Sequence, residues 1–386
     1  MKVFLIAGEA SGDRLGAALM AGLKSLENVE FQGVGGPFME AEGMQSLFPM
    51  DELSVMGLAE ILPKYPQLRR RLHQSAEAVL EARPDVLITI DSPDFCLRIA
   101  RLVKAKSDIR TVHYVAPSVW AWRAKRARKM AGVIDHVLAL LPFEPPYMEA
   151  EGMECDFVGH PVVSEPQANA EEIQEFKDRH DITNPIWMIL PGSRRGEIQG
   201  LGARFSEVVR RVLEDKPMLS LVIPTTANVA PLVREMVRDW PVKPLILSPE
   251  GMDPAAFKAE KRAAFGAADW ALAASGTVSL ELAAAGTPMV IAYDLKPLSR
   301  IIISRMLKVD TLTLVNLVSE TRVIPEFIGN RCRSELIAPA MLALMEASGE
   351  QRAAMALTME RLGRGGEAPG LRAARAVLTR MKVARG

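Results

Sequence analysis

The sequence predicts an α/β protein made of two doubly wound halves. Short apolar runs rich in Val and Ile alternate with longer runs of helical periodicity, which is the pattern of a parallel sheet covered by helices. The chain has 386 residues, more than a single hydrophobic core usually holds. A strand, a loop with Gly and Ser, and a helix open the chain at residues 2–26 and recur at 185–213. This repetition predicts that each half begins the same Rossmann-like fold.

Composition excludes several classes of protein. Hydrophobic residues make up 49% of the chain and charged residues 24%, which is typical of a soluble globular protein. Lysine plus arginine and aspartate plus glutamate both number 47, so the net charge does not indicate nucleic-acid binding. Cys96, Cys155 and Cys332 are far apart in sequence, which fits a reduced cytoplasmic protein without a structural zinc site. No apolar run reaches the ~18 residues of a membrane span, so any membrane contact is expected to be peripheral.

The first half contains six predicted strands. They are Lys2–Ala7, Val29–Val34, Val86–Ile90, Arg110–Tyr114, Val133–Leu141 and Cys155–Val158. The first strand runs directly into a glycine turn and lacks a cleavage site, so it does not resemble a signal peptide. The loop Gly8–Asp13 that follows carries two carboxylates, which would repel a pyrophosphate. Glu9 and Ser11 suit the hydroxyls of a sugar, and a purely structural turn explains the loop equally well.

Two aspartates follow the third strand. Asp91 and Asp94 flank Ser92 and Pro93, and the proline prevents the strand from continuing. Because ligands bind at the carboxyl ends of strands in an open parallel sheet, Asp91 is well placed to act as a general base. The residue pattern alone favours the alternative, in which Asp and Ser cap the next helix.

Two segments of the first half combine apolar and basic residues. Residues 56–72 hold an apolar stretch and a basic cluster, which suits a membrane surface with anionic headgroups. A partly buried helix with a solvated basic face is the alternative. Trp120 and Trp122 precede the basic run 123–129. These tryptophans suit a sugar ring or an acyl chain beside a phosphate, or else the hydrophobic core.

The composition of residues 164–184 predicts a linker. The chain then divides into an N-terminal Rossmann-like domain over 1–163, a C-terminal Rossmann-like domain over 185–350 and C-terminal helices over 351–386. The predicted strands of the second half are Pro185–Leu190, Leu219–Pro224, Pro244–Leu247, Trp270–Ala274 and Pro288–Tyr293. Ser193 and Arg194 follow the first of them, where backbone amides at a helix N-terminus and a guanidinium group favour a phosphate.

A second loop of this half also suits a nucleotide. Ser275, Gly276 and Thr277 come directly after a strand and before a helix, so their amides and hydroxyls can hold a phosphate. Glu281 lies one turn into that helix, where its carboxylate can accept bonds from both ribose hydroxyls. A helix cap formed by Thr277 and Glu281 is the alternative. Farther along, Asn316 is a lone amide between apolar residues.

Taken together, these motifs resemble those of the lipid-A-disaccharide synthase family, which are inverting glycosyltransferases of the GT-B fold. The matching motifs are GEASGD (8–13), MGLAEIL (56–62), IDSPDF (90–95), HYVAPSVWAWRAKR (113–126), LLPFE (140–144), FVGHP (157–161), LPGSR (190–194), ASGTVSLELA (274–283), PMVIAY (288–293), KP (296–297) and LVNL (314–317). They extend in order over residues 1–330. The resemblance implies two Rossmann-like domains that face each other across a cleft.

The resemblance also implies a reaction and roles for the matching residues. UDP-2,3-diacylglucosamine would donate its sugar to the 6-hydroxyl of 2,3-diacylglucosamine 1-phosphate, giving the β(1→6) disaccharide 1-phosphate and UDP. Asp91 would be the base, with Asp94 as the local alternative, and Arg194 would neutralise the leaving diphosphate. The residues expected to bind substrate are Glu9, Ser11, Ser193, Ser275, Gly276, Thr277, Glu281 and Asn316. Neither a metal nor a cofactor is expected.

The same resemblance sets expectations for location and partners. Because both substrates are acylated, the protein is expected to be cytoplasmic and peripherally attached to the inner membrane. A homodimer, with or without exchange of C-terminal elements, agrees with the family, and residues 351–386 are candidates to cross back to the first domain. Two other functions remain open: a UDP-sugar 2-epimerase of the same fold, and a non-catalytic nucleotide-sugar sensor.

Overall fold

The computed structural model describes residues 1–53, 58–120, 125–294 and 309–385. These residues form two compact units, Met1–Ser164 together with Leu362–Gly386, and Glu165–Arg361. Each unit contains a six-stranded sheet whose neighbouring strands pair in parallel. The predicted α/β class, with two Rossmann-like doubly wound halves, is confirmed.

The first unit alternates strands and helices. Its strands are β1 (Lys2–Ala7), β2 (Glu30–Val34), β3 (Val86–Ile90), β4 (Arg110–Tyr114), β5 (His136–Ala139) and β6 (Glu154–Phe157). Its helices are α1 (Ala10–Leu26), α2 (Pro37–Ala41), α3 (Leu58–Ala82), α4 (Pro93–Lys104), α5 (Lys125–Ala131), α6 (Pro145–Glu149) and the C-terminal helix Pro369–Arg385, with 3₁₀ turns at Met50–Glu52 and Pro161–Ser164. The strand order β2-β1-β3-β4-β5-β6 makes β1 and β3 neighbours from which the chain winds outward in opposite directions. This pair is the topological switch point, where doubly wound sheets bind ligands.

The central strand β3 shows why this sheet forms. Its sequence is Val-Leu-Ile-Thr-Ile, and all five residues are buried, as expected for a parallel strand covered by helices on both faces. The one polar side chain, Thr89, donates a hydrogen bond to the Val112 carbonyl at 3.2 Å and lies 2.8 Å from His113 Nδ1. Satisfying that hydroxyl avoids the cost of a buried unpaired polar group.

The C-terminal helix Pro369–Arg385 packs on α1 within the first unit. Gly22 and Gly370 allow the close approach, because a Cβ on Gly22 would lie 2.7 Å from the Gly370 carbonyl oxygen. Arg380 on the same helix donates two hydrogen bonds to the Asp156 carboxylate, at 2.9 and 3.0 Å. Residues 351–386 are thus divided between the two units. Those up to Arg361 belong to the second unit, and those from Leu362 onward belong to the first.

The second unit repeats the doubly wound pattern. Its strands are β7 (Ile186–Leu190), β8 (Ser220–Pro224), β9 (Leu245–Leu247), β10 (Trp270–Ala274), β11 (Met289–Tyr293) and β12 (Glu326–Ile328). Its helices are α7 (Ala170–Arg179), α8 (Arg195–Asp215), α9 (Ala230–Met236), α10 (Pro254–Ala267), α11 (Val278–Ala285), Leu314–Ser319, Ser334–Glu346 and Gly349–Arg361, with a 3₁₀ turn at Gly329–Arg331. The strand order β12-β11-β10-β7-β8-β9 places the switch point between β7 and β10.

The segment 164–184, which the composition suggests as a linker, contains helix α7. Asn169 and Glu172 form a capping box at its start, a motif that stabilises helix N-termini. At its end, Arg179 and His180 both contact the buried carboxylate of Glu260 on α10. Most of this segment is therefore an integral part of the second unit.

Candidate active site

The loops after β1 and β3 lie together at the switch point of the first sheet. Gly8 begins one loop, and Asp91 and Ser92 begin the other. A Cβ on Gly8 would lie 2.7 Å from Ser92 Oγ and 3.0 Å from Ser92 Cβ, so a larger residue at position 8 would force Ser92 to shift. The loop expected to bind sugar hydroxyls and the expected base are therefore neighbours.

Asp91 is held in an uncommon backbone conformation at the carboxyl end of β3. Its φ is +53°, and that of Ser92 is +42°, a region that costs a non-glycine residue on the order of 1 kcal/mol. The Asp91 N–H donates to the Tyr114 carbonyl at 3.0 Å, and Oδ1 accepts a bond from the Ser92 N–H at 2.8 Å. The half-buried carboxylate is thus fixed in direction, and it retains capacity for further hydrogen bonds.

The neighbouring carboxylate, Asp94, has a different environment. It lies in the first turn of α4, its side chain is 89% exposed, and Arg126 is 3.6 Å away. Ser92 occupies the N-cap position of α4, but its side chain makes no capping hydrogen bond. The alternative in which these residues serve as an ordinary helix cap therefore lacks its characteristic bond, and Asp91 is the more rigidly held of the two carboxylates.

Glu9 and Ser11 lie at the start of α1. Glu9 is the N-cap residue without a side-chain capping bond, and Ser11 is exposed in the first turn. Burial and then the charge of Asp91 raise the pKa of the Cys96 thiol, and the charge of Glu9 raises it further.

Asp13, in contrast, has a structural role that sequence reasoning missed. Its carboxylate is 1% exposed and accepts bonds from the N–H groups of Gly36 and Met39, each at 2.9 Å, and of Phe38 at 3.0 Å. These amides lie at the N-terminus of α2, which favours a negative charge. Because the cap is more than twenty residues away in sequence, no local pattern indicates it.

The loop after β7 is closed around a carboxylate of its own. Glu197 Oε2 accepts hydrogen bonds from the backbone N–H of Ser193 at 2.9 Å and of Arg194 at 3.2 Å. Gly192, at φ +117°, leaves room for this side chain, which a Cβ would overlap. The sequence suggested that these amides bind phosphate, but Glu197 occupies them. A phosphate at this loop must therefore rely on side chains, above all the guanidinium of Arg194.

The Arg194 guanidinium is exposed beside this carboxylate. Its side chain is 65% exposed and lies 3.6 Å from Glu197 Oε1, a long and weak ion pair. Burial raises the pKa of Tyr293 at the end of β11, Glu197 raises it further and Arg194 opposes the change. The charges of Glu197 and Arg194 thus act on the Tyr293 phenol in opposite directions.

The loop after β10 is largely exposed. Gly276 and Thr277 are exposed and Ser275 is half-buried, and Thr277 occupies the N-cap of α11 without using its side chain for capping. Glu281 on α11 accepts a hydrogen bond from Lys261 Nζ on α10 at 2.7 Å. Because β7 and β10 are adjacent, this loop and the Ser193–Arg194 loop leave the sheet at the same switch point.

Asn316 is buried, and its side-chain amide is already hydrogen-bonded within the second unit. Its Nδ2 donates to the Ile324 carbonyl at 3.0 Å and to Thr311 Oγ1 at 3.3 Å, while its Oδ1 accepts from the Ile324 N–H at 3.0 Å. Only 1% of the residue is exposed. The geometry therefore fits a residue that positions the surrounding loops better than one that contacts a nucleotide.

Trp120 belongs to the core of the first unit. It is buried, its ring meets Phe143 edge-on at 5.3 Å between centroids, and its Nε1 lies 3.4 Å from Glu144 Oε1. Burial raises the pKa of Glu144 to about 7, although a hydrogen bond from the Leu141 N–H opposes the shift. Trp122 and the first residues of the basic run 123–129 lie outside the described residues.

The described part of the 56–72 segment belongs to α3. Lys64, Tyr65, Arg69 and Arg70 are exposed there, and Tyr65 has 51% of its surface accessible. Residues 56–57, and the Lys296-Pro297 motif, lie outside the described residues. Within the described ranges, no helix is both long and apolar enough to cross a membrane, and no cluster of His, Cys, Asp and Glu suited to a metal ion occurs.

Comparison with known sequences gives a consistent family. Residues 3–375 match the family described as lipid-A-disaccharide synthetase. A lipid-A-disaccharide synthase from Ruegeria pomeroyi is 61% identical over 99% of this chain and 96% of its own length. Another from Rhodospirillum centenum is 46% identical over 97% of this chain and 94% of its own length.

Solved structures with a similar fold come from UDP-sugar enzymes. A UDP-GlcNAc 2-epimerase from Neisseria meningitidis, bound to UDP-GlcNAc, has a TM-score of 0.64 at 11% identity, with 100% of both chains covered. A UDP-GlcNAc 2-epimerase from Methanocaldococcus jannaschii, with UDP-GlcNAc and UDP, has a TM-score of 0.60 at 15% identity and the same coverage of 100%. At such low identity the likeness establishes the fold alone, which agrees with the expected GT-B class.

Proposed function

The chain belongs to the lipid-A-disaccharide synthase family and is a glycosyltransferase of lipid A biosynthesis, and we propose that it joins UDP-2,3-diacylglucosamine to 2,3-diacylglucosamine 1-phosphate. The acceptor's 6-oxygen forms a bond to the anomeric carbon while the bond from that carbon to UDP breaks. The products are the β(1→6) disaccharide 1-phosphate and UDP. The structural observation that most supports this chemistry is the fixed Asp91 carboxylate at the first switch point.

In this proposal Asp91 is the general base. Inversion by direct displacement requires that the attacking hydroxyl lose its proton as the new bond forms. The bond from the Ser92 N–H and the left-handed backbone at Asp91 hold the carboxylate in place before substrate arrives. Such preorganisation favours proton transfer because little rearrangement is needed in the transition state. Glu9 and Ser11, on the neighbouring loop, would bind hydroxyls of a sugar.

Arg194 would stabilise the leaving diphosphate. As the bond to the sugar breaks, negative charge develops on the diphosphate, and a positioned cation lowers the energy of that state. The exposed guanidinium of Arg194 and the hydroxyl of Ser193 are suited to this role. The loop of Ser275, Gly276 and Thr277 would hold a phosphate from the other side of the switch point.

Glu281 would recognise the ribose of UDP. A carboxylate has enough acceptor sites to take a hydrogen bond from each of two adjacent hydroxyls. Asn316 would act indirectly, because its amide ties together the segments on either side of helix Leu314–Ser319.

We propose that α3 contributes to contact with the membrane surface. Exposed Lys64, Arg69 and Arg70 would attract anionic headgroups, and Tyr65 suits the interface between water and acyl chains. This would place the protein at the cytoplasmic face of the inner membrane, where both acylated substrates are accessible. Sedimentation with anionic and with neutral vesicles tests it, and equal binding to both would argue against it. The homodimer remains a prediction, which light scattering would test.

The reaction is tested by incubating the protein with both acylated monosaccharides and analysing the lipid by mass spectrometry. A disaccharide 1-phosphate and an equal amount of UDP are expected only when donor and acceptor are both present. A 2-epimerase would change the UDP-sugar without acceptor, and a sensor would bind the UDP-sugar without forming product. Either outcome would exclude the proposed transfer.

A further inference from the structure

We propose that Lys261 is a positioning residue for the nucleotide, which holds Glu281 in the orientation that accepts hydrogen bonds from the ribose of UDP. The inference rests on the proposed function, because it takes the loop after β10 and helix α11 as the site of the UDP moiety. Lys261 lies outside every motif that carries the family resemblance, and no local pattern of the sequence connects it with Glu281, twenty residues away.

The contact between the two side chains is short and specific. Lys261 Nζ donates to Glu281 Oε2 at 2.7 Å, and the two side chains are 38% and 36% exposed. The same ammonium group lies 5.0 Å from the centre of the Phe265 ring, within the range of a cation–π interaction. Lys261 is therefore fixed by a carboxylate on α11 and by an aromatic ring one turn along its own helix.

Glu281 needs such a partner for recognition of a diol. It lies in the first turn of a short helix, and its side chain is accessible enough to adopt several rotamers. Fixing a glutamate rotamer on binding costs conformational entropy, which a preformed contact removes in advance. Lys261 occupies one acceptor site of Oε2. A carboxylate offers about four such sites, so bonds to two hydroxyls remain available.

A purely structural ion pair would behave differently. Half-exposed pairs contribute little to folding stability, so loss of Lys261 should leave the fold intact. If the pair only joined α10 to α11, its loss would not alter discrimination between ribose and deoxyribose. That discrimination is therefore the decisive measurement, because a site built to bond a hydroxyl leaves acceptors unpaired when the hydroxyl is missing.

The test compares binding of UDP and 2′-deoxy-UDP by calorimetry in wild type, Lys261→Met, Lys261→Arg and Glu281→Gln. We expect wild type to prefer UDP by roughly tenfold, as for one charge-assisted hydrogen bond. Lys261→Met should weaken UDP binding about five- to tenfold and bring the preference close to one, whereas Lys261→Arg should retain most of it. Lys258→Met is the matched control, because Lys258 is exposed one turn earlier on α10. It should leave the preference unchanged.

Three outcomes separate this inference from the proposed function. If Glu281→Gln abolishes the preference and Lys261→Met also does so, and the double variant Lys261→Met/Glu281→Gln binds UDP no more weakly than Glu281→Gln, the inference is supported. If Glu281→Gln abolishes the preference but Lys261→Met retains it, Lys261 is not a positioning residue and the nucleotide site stands. If wild type binds UDP without any preference, or Glu281→Gln changes nothing, the ribose site itself is wrong and the inference falls with it.

Discussion

The substitution Gly8→Ala tests whether Asp91 acts as a base that its neighbours hold in place. A Cβ at position 8 would lie 2.7 Å from Ser92 Oγ, about 0.7 Å short of the 3.4 Å at which ordinary contact begins. Rotation of the Ser92 side chain can relieve the Oγ contact, but Ser92 Cβ would still lie 3.0 Å from the new atom. Ser92 as a whole must therefore shift, and its N–H is the group that holds Asp91 Oδ1. A displacement near 1 Å from productive geometry can lower the rate on the order of 10²-fold. We expect a kcat lower by roughly 30- to 100-fold.

The assay is UDP release from both acylated substrates, combined with UDP binding and thermal unfolding. Overpacking typically costs about 1–3 kcal/mol, so the Gly8→Ala variant should still fold. Its affinity for UDP should change little, because the residues proposed to bind UDP lie in the second unit. Gly132→Ala is the control, since a Cβ there meets no atom within 4 Å. It should retain wild-type turnover.

A second substitution restores the missing space. In the double variant Gly8→Ala/Ser92→Gly, both Ser92 atoms that the new Cβ would approach are gone, and glycine accepts the φ of +42° at position 92. Most of the lost kcat should therefore return. Wild-type turnover in Gly8→Ala, or a double variant as slow as the single one, would refute the link between this contact and catalysis.

Further substitutions at Asp91, Asp94, Glu197 and Glu144 extend these expectations. Asp91→Asn should lower kcat by about 10²- to 10⁴-fold with unchanged UDP binding, whereas Asp94→Asn should stay within a few-fold of wild type in the same assay; equal losses would refute the assignment. Glu197→Ala should lower the free energy of unfolding, measured by urea denaturation, by about 0.5–2 kcal/mol, as for a lost helix cap. Glu197→Gln should lower it by less, because the glutamine amide oxygen can still accept the hydrogen bonds from the loop N–H groups. Burial raises the pKa of Glu144 from its usual 4.5 to about 7, so the native state binds more protons and stability should fall as pH rises from about 4.5 to 7. Glu144→Gln should remove that part of the pH dependence, which amounts to a free energy of unfolding on the order of 1–3 kcal/mol. If urea unfolding gave the same dependence of stability on pH for the variant and the wild type across this range, the prediction would be wrong.

The sequence predicts the loops that surround the switch points because their signals are local. Asp91 and Ser275 each follow a short apolar strand directly, and parallel strands place their carboxyl ends at one edge of a sheet. The capping role of Glu197 could also have been recognised from the sequence. Glu197 lies three residues after Arg194, which is the spacing of a capping box at a helix N-terminus. Asp13 was predicted only as a repelling charge, because its partners in α2 become neighbours through packing.

Asn316 shows the opposite limit of sequence reasoning. A lone amide among apolar residues can either form hydrogen bonds within the protein or contact a ligand. The sequence does not distinguish these two roles, because they differ only in which hydrogen-bonding groups the fold brings close to the amide. Its amide is fully engaged with Thr311 and Ile324, both within eight residues in sequence. The partners are local, but their direction depends on how the chain folds back around helix Leu314–Ser319.

In the second unit, two ion pairs involve residues proposed to bind UDP. They are Arg194–Glu197 and Lys261–Glu281, and they differ in strength. Arg194 lies 3.6 Å from Glu197 with a side chain 65% exposed, whereas Lys261 lies 2.7 Å from Glu281. Electrostatic attraction between exposed charges is weak, so a diphosphate can draw the guanidinium of Arg194 away from Glu197. Glu197 keeps its two backbone N–H bonds when that happens, so the loop stays formed. We therefore expect Arg194 to exchange partners on nucleotide binding and the Lys261–Glu281 pair to persist, a difference that crystal structures with and without UDP would reveal.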